Sequence, residues 1–86
     1  MKDIQKLRTK IDKIDQELLS LIEKRVDLVR EIGKIKKELD LPVKDNMREN
    51  IIIEQLIEKI ENSQIDPKAI EQIWKTIFAT SYKIEE

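Results

Sequence analysis

From Asp3 to about Leu39 the apolar residues recur at Ile4, Leu7, Ile11, Ile14, Leu18, Leu21, Leu28, Ile32, Ile35 and Leu39. Alternating steps of three and four predict one continuous amphipathic helix over about 3–39 with a heptad rhythm. The member due between Leu21 and Leu28 is Arg25. "DLPVKD" ends this helix, because Pro42 disfavours helical geometry at Leu41. Asn46 is expected to cap a second helix over about 46–62, with Glu49 completing a capping box. "NSQID" ends that helix near Glu61, and Asp66–Pro67 supplies an N-cap and first helical residue for a third, over about 67–84. No strand pattern, repeat or low-complexity run interrupts this order. The expected fold class is all-α: three helices with a long first helix, forming a single domain over residues 1–86.

The first helix is too long for such a domain. About 36 residues at about 1.5 Å each give roughly 54 Å. A compact chain of this length has a radius of gyration near about 12 Å and a diameter of roughly 30 Å. The helix must overhang and expose an apolar seam, so an intertwined homodimeric bundle in which two long helices pair is expected.

Helical phase at about 100° per residue places polar groups where packing calls for carbon. On the first helix Arg25 lies near the middle of the apolar stripe, Lys36 lies within about 20° of it, and Arg8 sits at the edge beside Leu7 and Ile11. On the second, Glu49 falls on the stripe of Ile52, Ile53, Leu56 and Ile60, and Arg48 flanks it. On the third, Ser81 and Glu85 continue the stripe of Ile70, Ile73, Trp74, Ile77 and Phe78. Each has a bland explanation: a snorkelling Arg or Lys, a capping carboxylate, a frayed terminus. Together they describe a cluster. Buried charges cost several kcal/mol each unless paired, so a cluster kept inside a bundle points to a polar ligand. Arg8, Arg25, Lys36 and Arg48 against Glu49 predict a net cationic pocket suited to a small dicarboxylate.

Composition narrows the chemistry. The chain has 17 basic and 18 acidic residues, a balance unlike the basic footprint of a nucleic-acid binder. It lacks cysteine and histidine, which removes thiolate nucleophiles and the commonest general base and metal ligand. The N-terminus "MKDIQKLRTK" has neither signal- nor transit-peptide character, and no apolar run reaches the roughly 20 residues that span a bilayer. A cytoplasmic protein, without membrane or nucleic-acid partners, is expected.

The segments "LRTKIDKIDQELLSLIEKR", "VREIGKIK" and "PVKDNMRE", with a serine near the end of the third helix, make the chain resemble the all-helical class of chorismate mutases over essentially its whole length. The resemblance implies an intertwined dimer and the Claisen rearrangement of chorismate to prephenate in phenylalanine and tyrosine biosynthesis, without cofactor or metal. By position, Arg8 resembles the arginine that reaches into the partner's site to hold a substrate carboxylate, and Arg25 the one that holds the other carboxylate. Lys36 resembles the lysine that donates to the ether oxygen. Asp45 matches the residue whose backbone, with the Glu49 side chain, engages the ring hydroxyl; Arg48 supports that region and Ser81 lies near a carboxylate. Ile32, Ile52, Phe78 and Tyr82 are expected as apolar walls, and Gly33 as the small residue that permits close helix approach. Glu85 stands where many members carry glutamine. A carboxylate only accepts hydrogen bonds, so Glu85 must hold a proton to donate. The expected catalytic residues are Lys36, Glu85 and Arg25.

Two other functions fit the same residues. One is an isochorismate-pyruvate lyase of the same fold, whose substrate is also a dicarboxylate with an enolpyruvyl ether. The other is a non-catalytic helical dimerisation module in which Arg25 and Lys36 set the register.

Overall fold

A computed structural model describes residues 2–86, which form three helices and, among the described residues, no strand: α1 Lys2–Glu38, α2 Asn46–Lys59 and α3 Pro67–Glu85. The molecule is elongated, 56 × 26 × 15 Å, with a radius of gyration of 16.4 Å, well above the roughly 12 Å of a compact chain of this length. The excess belongs to α1, whose N-terminal half extends past the other two helices.

α1 ends in a Schellman motif. The Leu41 N–H donates to the Lys36 carbonyl at 2.8 Å and the Asp40 N–H to the Lys37 carbonyl at 3.3 Å. Asp40 takes the left-handed conformation, φ 54°, a position glycine usually fills and short polar side chains tolerate. The stop thus comes from backbone capping just before Pro42. α2 is capped by Asp45, not by the expected Asn46: the Asp45 carboxylate accepts from the Arg48 N–H at 3.0 Å. Both residue types cap well, and here the one three positions before Arg48 reaches its N–H. Glu49 takes no part in a capping box. α2 also ends earlier than expected, at Lys59, where Ile60 forms its C-cap. α3 begins with the Asp66 carboxylate accepting from the Lys68 N–H at 3.0 Å and Pro67 in the first turn.

α3 packs against both other helices, whereas α1 and α2 do not pack directly on each other. A gap therefore remains between α1 and α2, floored by α3. The face of α1 turned to α3 is not the long stripe. It runs through Ile22, Val26, Val29 and Gly33, also three and four apart, with Val29 and Gly33 buried. Val29 and Phe78 are the buried hydrophobic side chains among the described residues, a very small core. The long stripe lies bare: each of its ten apolar members is exposed, from 47% at Ile4 to 64% at Leu39.

Gly33 lets the helices approach. A Cβ on Gly33 would lie 2.9 Å from the Glu85 Cα and 3.2 Å from its carbonyl oxygen. Those atoms belong to the backbone of α3, so any side chain at 33 would push away the end of the helix that carries Glu85. The helix-propensity cost of about 1 kcal/mol for a mid-helix glycine is set against that contact.

Candidate active site

The gap between α1 and α2 holds a cavity of about 350 Å³, within the usual range for small-molecule sites. α1 contributes Arg25, Leu28, Val29, Ile32 and Lys36; α2 and its cap contribute Asp45, Arg48, Glu49 and Ile52; α3 contributes Phe78, Ser81, Tyr82 and Glu85. Apart from Arg8, every residue expected to act on or bind the substrate lines this one cavity. Leu28 and Val29 join them unexpectedly. Arg8 lies two heptads and more up α1, about 25 Å from Arg25 at the helical rise, and takes no part in the cavity of its own chain.

Helical spacing explains the convergence. Arg25, Leu28 or Val29, Ile32 and Lys36 are successive members of one α1 face. Asp45 and Glu49 are one turn apart at the start of α2, and Phe78, Ser81, Tyr82 and Glu85 follow at three- and four-residue steps on α3.

The polar groups are fixed by one another. Arg25 Nη1 donates to Ser81 Oγ at 2.5 Å, and Ser81 Oγ donates to the Ile77 carbonyl at 2.9 Å. Ser81 is buried, and its bond to the preceding turn is how a hydroxyl survives inside a helix. Lys36 Nζ donates to the Val43 carbonyl at 2.7 Å and lies 2.5 Å from Glu85 Oε1. That approach is off the hydrogen-bond direction, so Glu85 Oε1 has an ion partner but no directed hydrogen bond. Glu85 is 6% exposed. Tyr82 Oη donates to Glu49 Oε2 at 2.7 Å and accepts from the Asp45 N–H at 3.3 Å. The expected apolar wall at Tyr82 is therefore also a polar link, which spacing alone does not signal because an aromatic on an apolar stripe is usually core.

Burial raises the Tyr82 phenol above its ordinary value of 10.0, with the Glu49 hydrogen bond adding in the same direction and the Asp45 N–H opposing. The neutral phenol is thus the form the fold favours. Its contribution to stability is full below the unfolded value and is lost as pH rises through the raised folded one.

The cavity differs from expectation in charge. Arg25, Lys36 and Arg48 face Asp45, Glu49 and Glu85, three cations against three anions, so one chain alone provides no cationic excess. Asp45 spends its carboxylate on the helix cap and Glu85 on Lys36. A fourth cation is needed to tip the balance towards a dicarboxylate.

Among the described residues no helix is long and apolar enough to cross a membrane. The sequence profile of the chorismate mutase type II family matches residues 7–86. The chain is 29% identical over its whole length to a bifunctional chorismate mutase/prephenate dehydratase of Aquifex aeolicus, of which it spans 25%. It is 33% identical to a chorismate mutase of Methanocaldococcus jannaschii, with 70% of this chain and 61% of that one aligned. In structure it is similar to a chorismate mutase of Thermus thermophilus, with a TM-score of 0.87, 33% identity, and 95% and 92% of the two chains covered. It is also similar to a conserved hypothetical protein of Pyrococcus furiosus, with a TM-score of 0.81, 31% identity, and 100% and 99% covered. The chain spans about a quarter of the length of the bifunctional relative. The profile match and the shared three-helix frame agree: this chain belongs to the chorismate mutase type II family.

Proposed function

We propose that the protein is a chorismate mutase that converts chorismate to prephenate in the cavity between α1 and α2, as a homodimer in which Arg8 of each chain completes the other chain's site. The observation that carries this reading is the convergence of Arg25, Lys36, Glu49, Ser81 and Glu85 from three helices on one cavity, in a chain of this family. The exposed seam supports the dimer. Ten apolar residues on a strict heptad, each about half exposed, make a surface that water alone does not stabilise. A strict seven-residue repeat also favours pairing with a left-handed supercoil. A second long helix on this seam brings its own Arg8 to the cavity and supplies the missing cation. Cytoplasmic location fits the expected place of the reaction.

The chemistry follows from donor counting. Arg25 has five N–H donors and commits one to Ser81, leaving a fork for one substrate carboxylate; the second copy's Arg8 takes the other. Holding both ends of the diacid places the enolpyruvyl arm over the ring, which removes much of the entropic part of the barrier. Lys36 has three N–H donors, of which Val43 takes one, while Glu85 Oε1 is an ion partner without a directed hydrogen bond. A donor is left for the ether oxygen, where negative charge grows as the C–O bond breaks. A fixed cation there stabilises the transition state more than the ground state. Glu85 holds the Lys36 ammonium in place beside that oxygen, and Asp45, Arg48 and Glu49 hold the ring side. Ile32, Ile52 and Phe78 exclude water.

The test is product identification. Purified protein is given chorismate and, separately, isochorismate, and products are followed by NMR. Prephenate from chorismate is expected; salicylate and pyruvate from isochorismate, with chorismate untouched, would assign the lyase activity instead. Inertness towards both would leave the dimerisation module.

A further inference from the structure

Tyr82 is the polar residue of the cavity that the mechanism above leaves without a part. Its Oη stands between an acceptor and a donor, giving its proton to Glu49 Oε2 at 2.7 Å and taking the Asp45 N–H at 3.3 Å. Those bonds satisfy a hydroxyl's donor function and one of its acceptor lone pairs. Any alcohol placed at the same point finds the same two partners. The backbone of both partners is fixed by the start of α2, while the Glu49 carboxylate takes its hydrogen bond from Tyr82. Asp45 is the N-cap of α2, and Glu49 sits one turn on, its N–H bonded to the Asp45 carbonyl at 3.1 Å. The phenol itself comes from α3, across the cavity, on a side chain that is only partly buried.

We infer that the Tyr82 hydroxyl is an internal surrogate for the substrate's ring hydroxyl, holding the Asp45 N–H and the Glu49 carboxylate until that hydroxyl takes its place. The inference rests on the mutase reading, which puts a hydroxylated ring in this cavity. Binding is then a competition. The backbone N–H is a single donor, so the substrate hydroxyl gains it only as Tyr82 releases it. The surrogate also makes the site selective. A ring whose hydroxyl lands at Glu49 displaces the phenol, whereas one lacking that hydroxyl, or carrying it elsewhere, leaves Tyr82 in place.

Tyr82→Phe keeps the ring and removes only the competing Oη. The KM for chorismate is expected to fall by about three- to tenfold, the factor by which a self-occupied site weakens apparent affinity, with kcat moving less than KM. Calorimetry gives a second reading that does not need turnover. A rigid bicyclic dicarboxylate ether bearing a ring hydroxyl, built to mimic the rearranging substrate, is expected to bind Tyr82→Phe more tightly by a similar factor. Its deoxy counterpart is expected to bind both proteins alike. Tyr82→Leu is expected to move KM in the same direction, which guards against a packing effect of one variant. A KM that rises or stays unchanged in Tyr82→Phe, or equal shifts for the two ligands, overturns the inference: Tyr82 then only orients Glu49 or only fills space. Wild-type protein that leaves chorismate untouched defeats the mutase reading instead, and the contrast between the two ligands still decides the surrogate role.

Discussion

Replacing Arg25 with alanine is expected to lower kcat/KM for chorismate by about a thousandfold while leaving the fold intact. Truncating one member of a buried, hydrogen-bonded charge pair typically costs about 2–5 kcal/mol, and each 1.4 kcal/mol is about tenfold. The Arg25 guanidinium faces the cavity and is held by Ser81 at 2.5 Å, so it meets a substrate carboxylate already oriented. Its removal therefore loses both a bidentate contact and the alignment of the diacid. Stability should move the other way. Arg25 occupies a heptad position whose other members are Ile4, Ile11, Leu18, Ile32 and Leu39. Replacing a buried charge by a well-packed apolar residue is often neutral or stabilising, so Arg25→Leu is expected to melt at or above the wild-type temperature and to be as inactive as Arg25→Ala. Retained activity in both variants would remove Arg25 from the site; lost activity with a lowered melting temperature would mark it as structural.

Lys36→Met is expected to lower kcat by about 10²- to 10³-fold, the usual effect of deleting one donor at a developing oxyanion. The methionine keeps most of the aliphatic stem, so KM should change less than kcat. The same variant strands Glu85, which is 6% exposed and lies 2.5 Å from Lys36 Nζ. Leaving a buried charge without its partner costs about 3–5 kcal/mol. The lower end is expected here, because the Lys36 side chain itself retains 18% exposure. Lys36→Met should therefore unfold at lower temperature than wild type at neutral pH. Lys36→Met with Glu85→Gln removes the stranded charge, and that pair is expected to regain the stability and none of the activity. Kinetics and thermal melts of the single and double variants separate the two effects. Recovery of activity in the double variant would show that the loss was structural.

Much of this arrangement is legible in the chain itself. Asp66–Pro67 marks the start of α3 without ambiguity. The heptad spacing of α1, broken only at Arg25, gives the helix, its excess length and the residue that points into the cavity. The start of α2 is harder, since Asp45 and Asn46 are adjacent and both cap well; reach to the Arg48 N–H decides between them. The inner face of α1 escapes a reading of spacing for a different reason. Ile22, Val26, Val29 and Gly33 form a second three-and-four series beside the longer one, and that shorter series meets α3. The longer stripe has the stronger pattern of a packing face, yet in one chain all its apolar members stay exposed. Spacing signals a face that is to be buried, not which partner buries it.

Site chemistry is legible as residue types on helical faces, because polar groups on apolar stripes are costly and therefore informative. Their pairing is not. Which carboxylate takes Lys36, that Ser81 receives Arg25, and that Tyr82 links Glu49 to the Asp45 N–H depend on how α3 crosses the other helices. One chain alone shows no cationic excess for the same reason: Glu85 and Asp45 enter its cavity beside the cations, and its own Arg8 does not.

A site shared between two copies can be tested directly by complementation. Arg8→Ala and Arg25→Ala proteins, each expected to be nearly inactive, are unfolded together in equal amounts, refolded, and assayed with chorismate. In a two-fold dimer, random pairing gives half mixed dimers, each with one intact and one doubly defective site, so about a quarter of wild-type activity should return. No recovery from a mixture that has refolded into dimers would contradict a cavity completed by the second copy's Arg8.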